Sequence, residues 1–225
     1  MDVHEYFGGI DIYLFDQIQK GTFKPDMKIL DVGCGNGRNL VYFMRNDYDV
    51  YGVDSSESQI KNCKFLVQQL THKSPENNFR VEFLDNISFE DSCFDAIISS
   101  AAFHFAKDDR QFNDWLYSAW RVLKVGGFMF TRLASSIGIE DKIKQIEGRR
   151  YHLPDTTDRY LVDEELLLSL TKKLGAELTE PIKTTNVQNL RAMTTWCIRK
   201  LASPKTTDGT VGGLNNSDSL KLYRE

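Results

Sequence analysis

Leu30-Asp31-Val32-Gly33-Cys34-Gly35-Asn36-Gly37 decides the fold of this chain. Residues 28–33 form a short apolar run that ends in glycine, as a buried strand does. Gly33, Gly35 and Gly37 then let the backbone turn tightly and approach a ligand that a Cβ would exclude. Residues 39–45 place Leu40, Val41 and Met44 on one helical face, and residues 49–54 read as a second strand that closes on a carboxylate. An ionised acid has two acceptor oxygens, so Asp54 can take both hydroxyls of a ribose. A glycine loop and an acid at neighbouring strand ends describe a pocket for a nucleoside-bearing cofactor. The dinucleotide pattern Gly-x-Gly-x-x-Gly is not met, because Arg38 stands where its third glycine belongs.

Further along, the same alternation of periods continues. Ile60, Cys63, Val67 and Leu70 predict an amphipathic helix over 57–72, and residues 79–84 and 94–99 predict two more strands. Asp108 has the character of an N-cap before a helix whose apolar face is Phe112, Trp115, Leu116, Ala119, Trp120 and Leu123. Gly126-Gly127 turns into a fifth strand over 128–133. Strands separated by helices define an α/β fold, a Rossmann-like doubly wound sheet that is mostly parallel. Residues 134–162 lack periodicity and exceed a usual connection, which predicts an insertion capping the substrate on the ligand face. A helix over 163–174 stops at Gly175, and two strands around 177–185 and 192–200 are joined by so short a link that they must pair antiparallel. The expectation is one domain over 1–201, a seven-stranded sheet with its last strand antiparallel, and a flexible C-terminal tail over 202–225.

Composition narrows the class. The 225 residues carry 28 Lys and Arg against 32 Asp and Glu, a net charge of −4 that argues against phosphate neutralisation on a nucleic acid as the main business of the chain. No stretch approaches the roughly 18 consecutive apolar residues of a membrane span. The opening Met-Asp-Val-His-Glu does not read as a signal peptide. Cys34, Cys63, Cys93 and Cys197 lie far apart with no metal-ligand spacing, so reduced thiols, a cytoplasmic location and no metal are expected.

Residues 30–39 resemble motif I of the class I S-adenosylmethionine-dependent methyltransferases, and the form Gly-Cys-Gly-Asn-Gly-Arg-Asn is especially similar to that of the tellurite-resistance methyltransferases. Val53-Asp54 resembles the acid such enzymes place on the cofactor ribose, and Leu84-Asp85-Asn86-Ile87 resembles their adenine site. Residues 94–100 resemble the fourth-strand motif, and residues 120–127 resemble the Arg-Val-Leu-Lys-Pro-Gly-Gly run, with Val125 in place of proline. The resemblance implies S-adenosyl-L-methionine as cofactor and S-adenosyl-L-homocysteine as product. It also implies cofactor contacts from Asp31, Gly33, Cys34, Gly35, Gly37, Asp54, Ser55, Asp85, Asn86, Ile87 and Ser100.

The chemistry then expected is methyl transfer to a small-molecule acceptor by in-line displacement at the sulfonium methyl, which needs alignment and exclusion of water. His104 follows the fourth strand at the ligand end, where a general base would stand if the acceptor had to lose a proton. Tyr151 and Arg159 of the insertion, with Arg132 and Arg191 at strand ends, are the candidate substrate contacts, since arginine can grip a carboxylate or other anion bidentately. Cys34 reads as a small packed group, and the tryptophans as core. Competing readings are an RNA or protein methyltransferase, a nicotinamide oxidoreductase, and a non-catalytic S-adenosylmethionine-binding module. The first is disfavoured by Ser99-Ser100-Ala101-Ala102 in place of Asn/Asp-Pro-Pro-Tyr/Phe, and the second by Arg38 together with the Asp85 motif.

Overall fold

The computed structural model describes residues 2–71 and 77–202; the tail expectation for 203–225 lies outside the described residues. Strand β1 (Lys28–Val32) is buried from Ile29 onward and lies in the interior of the sheet. On one side it pairs with β2 (Asp49–Asp54), which carries β3 (Phe79–Val81) at the edge. On the other side it pairs with β4 (Phe94–Ser100), and β4 pairs with β5 (Leu123–Ser135). All these pairings are parallel. The strand order therefore reverses between β1 and β4, and the crevice beyond their carboxyl ends is where such folds bind ligands.

Period-two burial splits the core into two layers. Leu30, Val32, Ile97 and Met129 face one cluster with α5 (Asp109–Val122), while Ile29, Ala96, Ile98 and Phe130 face another with α3 (Val41–Arg45) and α4 (Glu57–Leu70). Ahead of β1, α1 (Val3–Phe7) and α2 (Ile12–Gln19) complete the second layer. Asp108 caps α5 as expected, its side chain accepting from the Gln111 amide at 2.7 Å. The helix runs directly into β5, and residues 124–127 loop out between Leu123, paired with Phe94, and Phe128, paired with Ala96. Gly126 takes a φ of +79°, and a Cβ on Gly127 would fall 2.6 Å from Leu123, which explains the double glycine.

Three expectations change in detail. β5 runs on to Ser135, so the insertion begins after it. The insertion is ordered: β6 (Lys144–Glu147), β7 (Arg150–His152) and β8 (Asp158–Tyr160) form an antiparallel sheet. Strands this short, with β6 fully exposed, leave no alternation to read. After α6 (Glu164–Lys173), capped by Asp163, the expected sixth strand is broken into β9 (Ala176–Leu178) and β10 (Lys183–Val187). Both pair antiparallel with β11 (Arg191–Lys200), and Pro181, which has no N–H for a ladder, lies in the gap. Between β10 and β11, Gln188 and Asn189 both have positive φ, and the Leu190 amide closes on the Val187 carbonyl at 2.9 Å: a tight type I′ turn. Among the described residues no helix is long and apolar enough to cross a membrane.

Candidate active site: two clefts with a shared wall

The loop after β1 owes its shape to three different demands on its glycines. Gly33 has φ +74°, and a Cβ there would stand 2.5 Å from the Ala102 Cβ. Gly37, φ +82°, meets α4, where a Cβ would lie 3.1 Å from the Cys63 sulfur. Gly35, φ +52°, faces open space. Its amide donates to Asp54 Oδ2 at 3.0 Å, and the Ser56 amide donates to Oδ1 at 2.9 Å, which ties the loop to the end of β2. Each Asp54 oxygen keeps a second acceptor site. The Cys34 amide is spent on the Val53 carbonyl, and its thiol packs 3.8 Å from that of Cys63; the Cys63 thiol and burial hold it well above the usual thiol range. Cys34 therefore shapes the loop and is no nucleophile.

A cleft of about 310 Å³ opens above this loop, lined by Gly33, Asp54, Ser55, Phe83, Leu84, Ala101, Ala102, Phe105 and Trp115. Phe83 and Trp115 supply aromatic faces suited to a purine. Trp115, expected in the core, is half-buried: it packs against the core and also lines the cleft. The adenine motif runs along one edge of this cleft, which Leu84 lines. Asp85 and Asn86 stand exposed beside the cleft, and the Asn86 amide closes a turn on the Phe83 carbonyl. Ile87 is a correction: its side chain is buried in the core and its amide donates to Ser118 Oγ at 3.1 Å, so it has no donor left for a ring nitrogen.

Asp31 lies beneath the loop, 1% exposed, and neither carboxylate oxygen has a hydrogen-bond partner among the described residues. Burial pushes its carboxyl up to about 7; the Arg38 guanidinium opposes the rise and the Asp54 charge adds to it. An orphaned buried acid beside an open glycine cradle is the mark of a site that completes itself with a cationic ligand. S-adenosylmethionine fits these residues: its ammonium would satisfy Asp31, its ribose Asp54 and its base the aromatic walls.

The second cleft, about 330 Å³, shares Ala101 and Phe105 with the first. Ser100, expected on the cofactor, belongs here, because β4 ends between the clefts; its hydroxyl donates to Asp11 Oδ2 at 3.2 Å. Arg132, Arg159 and Arg191 all line this cleft, as does Arg38. Tyr151 is a correction, since it packs against the insertion's own small core of Leu153, Leu161 and Ile139. Asp11 was invisible as a site residue. Its only signal is N-cap chemistry, the side chain accepting from the Tyr13 amide, yet it also takes Arg132 Nη1 at 2.7 Å and so links the N-terminal helix to β5. Asp155 was missed too; it holds a tight turn by accepting from the Thr157 amide and hydroxyl.

His104 sits in the one-turn 3-10 helix Phe103–Phe105 and lines this cleft, 5% exposed. Its Nδ1 accepts the Ala134 amide at 3.2 Å. That bond puts the proton of the neutral ring on Nε2, and burial, helped by Arg159 and Arg191, lowers the pKa to about 4. The neutral ring so held accepts at Nδ1 and keeps its proton on Nε2.

Comparison with known proteins agrees with this geometry. Residues 30–131 match the family described as methyltransferase domain. Phosphoethanolamine N-methyltransferase 3 of Arabidopsis thaliana is 32% identical over 105 residues, 44% of this chain and 21% of that one. A SAM-dependent methyltransferase from Methanosarcina mazei superposes with TM-score 0.68 at 21% identity, covering 83% of this chain and 98% of that one. The 1,6-didemethyltoxoflavin-N1-methyltransferase of Burkholderia thailandensis, solved with its substrate and S-adenosylhomocysteine, gives TM-score 0.65 at 16% identity over 89% and 82% of the two chains. At those identities the structural likeness shows the fold. The matched segment spans less than half the length of the curated relatives. Fold, loop and match point the same way: residues 30–131, a little under half of the chain, match a methyltransferase domain on a Rossmann-like sheet.

Proposed function

We propose that the chain transfers a methyl group from S-adenosylmethionine to a small-molecule acceptor by in-line displacement. The observation that carries this reading is the shared wall. A nucleoside-shaped cleft and a polar cleft of similar size meet at Ala101 and Phe105, so ligands in the two would be neighbours. When bound, the cofactor supplies a sulfonium whose methyl is already electrophilic. The chain's part is to bind and align. Asp31 would hold the cofactor's ammonium, Asp54 its ribose, and Phe83 and Trp115 its base. Phe105 and the insertion would screen the seam from water, which makes residues 136–161 the substrate cap.

The cleft wall also constrains the acceptor. His104 presents a donor, Asp11 is paired with Arg132, and Asp155 is held below the usual carboxylate range by Thr157 against the opposing effect of burial. None of these is placed to take a proton, so the acceptor presents a nucleophile that needs no deprotonation by His104. The small-molecule class is supported by the cleft's volume and by the substrate named for the Burkholderia enzyme. The tellurite-like form of residues 33–39 concerns the cofactor loop and assigns no acceptor. A thermal-shift comparison of S-adenosylmethionine, S-adenosylhomocysteine and NADH tests the cofactor, and transfer of labelled methyl to a metabolite extract against total RNA tests the acceptor class. Stabilisation by NADH alone, or label in RNA alone, would overturn the proposal.

A further inference from the structure

The acceptor cleft is unevenly charged. At one end Arg132 is spent on Asp11, its Nη1 2.7 Å from Oδ2, and Arg38 gives Nη1 to the Gly9 carbonyl at 2.8 Å. At the other end two guanidiniums, those of Arg159 and Arg191, stand where the cleft holds a single carboxylate, that of Asp155. Arg191 approaches Asp155 Oδ2 at 3.6 Å, while Asp155 Oδ1 is occupied by Thr157. Arg159 has no carboxylate within ion-pair distance among the described residues. Its Nη1 donates to the Asp158 carbonyl at 2.7 Å and its guanidinium lies over the Phe105 ring, 4.7 Å from the centroid. Phe105 is itself the wall shared with the cofactor cleft, so this cation stands at the seam between the two. His104, with its proton on Nε2, adds a neutral donor to the same wall.

From this we infer that the acceptor carries a carboxylate, held by the fork of Arg159 with Arg191 beside it and His104 as an added donor. The inference rests on the second cleft being the acceptor cleft. At this end two guanidiniums against one carboxylate leave positive charge for an anion to meet. A guanidinium kept planar against an aromatic face presents its remaining N–H groups as a fork for a flat carboxylate. The cleft's volume restricts the ligand to a small molecule.

The test uses the full chain and calorimetric titration with benzoate and succinate. Benzamide and succinamide serve as uncharged partners, inorganic phosphate as the competing anion, and each titration is run with and without S-adenosylhomocysteine. At least one carboxylate should bind where its amide does not, and Arg159→Met should weaken that binding by about tenfold or more while leaving S-adenosylhomocysteine affinity unchanged. The inference falls if no carboxylate binds, if an amide binds as well as its acid, if phosphate binds more tightly than both acids, or if Arg159→Met has no effect. Failure of S-adenosylhomocysteine to bind would overturn the proposed function separately, since the titrations without it still decide the anion question.

Discussion

At the scale of single residues, Asp31 and His104 carry buried chemistry with opposite consequences. Asp31 is neutral in the free protein until pH reaches about 7, whereas in an unfolded chain it ionises near 3.8. Its contribution to stability is therefore full below the unfolded value and lost as pH rises toward 7. Asp31→Asn should raise the melting temperature of the free protein at pH 8 by several degrees, with a smaller gain at pH 5, while weakening S-adenosylmethionine binding by about tenfold or more. Scanning calorimetry at the two pH values and a titration check both. For His104 the sign is reversed. A native pKa of about 4 lies below the unfolded value, so stability is present above about 6.5 and is lost as pH falls toward 4. Long-range proton–nitrogen NMR should find the Nε2–H tautomer with no titration between pH 5 and 8. An imidazole titrating near 6.5 would contradict the Ala134 bond.

At the scale of elements, the glycine loop separates folding from binding. Gly33→Ala would combine a left-handed backbone with a Cβ 2.5 Å from Ala102, and should cost about 2–5 kcal/mol in denaturant unfolding. Gly35→Ala meets nothing within 4 Å, so only the backbone cost of about 1–2 kcal/mol remains. That variant should fold yet lose cofactor affinity by about tenfold or more in calorimetry, because its Cβ would enter the cradle. Most elements were legible because their signals are local. The β1 and β2 runs, the Asp108 cap and the stop at Gly175 need no tertiary information. The insertion's sheet was not legible, since strands of three or four residues with exposed sides show no pattern. Nor was the break between β9 and β10, which local pattern reads as one strand.

The whole molecule sets how strongly ligand binding feeds back on folding. S-adenosylhomocysteine at about a hundred times its dissociation constant should stabilise the native state by about 2.7 kcal/mol. For a chain of this size that is a rise of about 5–10 °C in melting temperature, with none from NADH. The Asp11–Arg132 pair joins α2 to β5 across the second cleft, so the melting of that helix and the loss of the site should coincide. Circular dichroism and S-adenosylhomocysteine fluorescence competition, followed together on heating, would report two transitions if they do not.

The amino-acid sequence by itself determined the doubly wound sheet, the glycine loop and the acid that closes β2, because each follows from periodicity and from conformations only glycine adopts readily. It also brought Arg132, Arg159 and Arg191 into view as anion grips, though from residue chemistry alone. Which arginines have their charge already met, which nitrogen of His104 carries the proton, and why Asp11 and Trp115 line the clefts while Tyr151 and Ile87 pack elsewhere, was decided only by the tertiary structure. Those properties depend on partners far apart in the chain, such as Asp11 with Arg132 and His104 with Ala134, and on the burial that makes an unpaired charge costly.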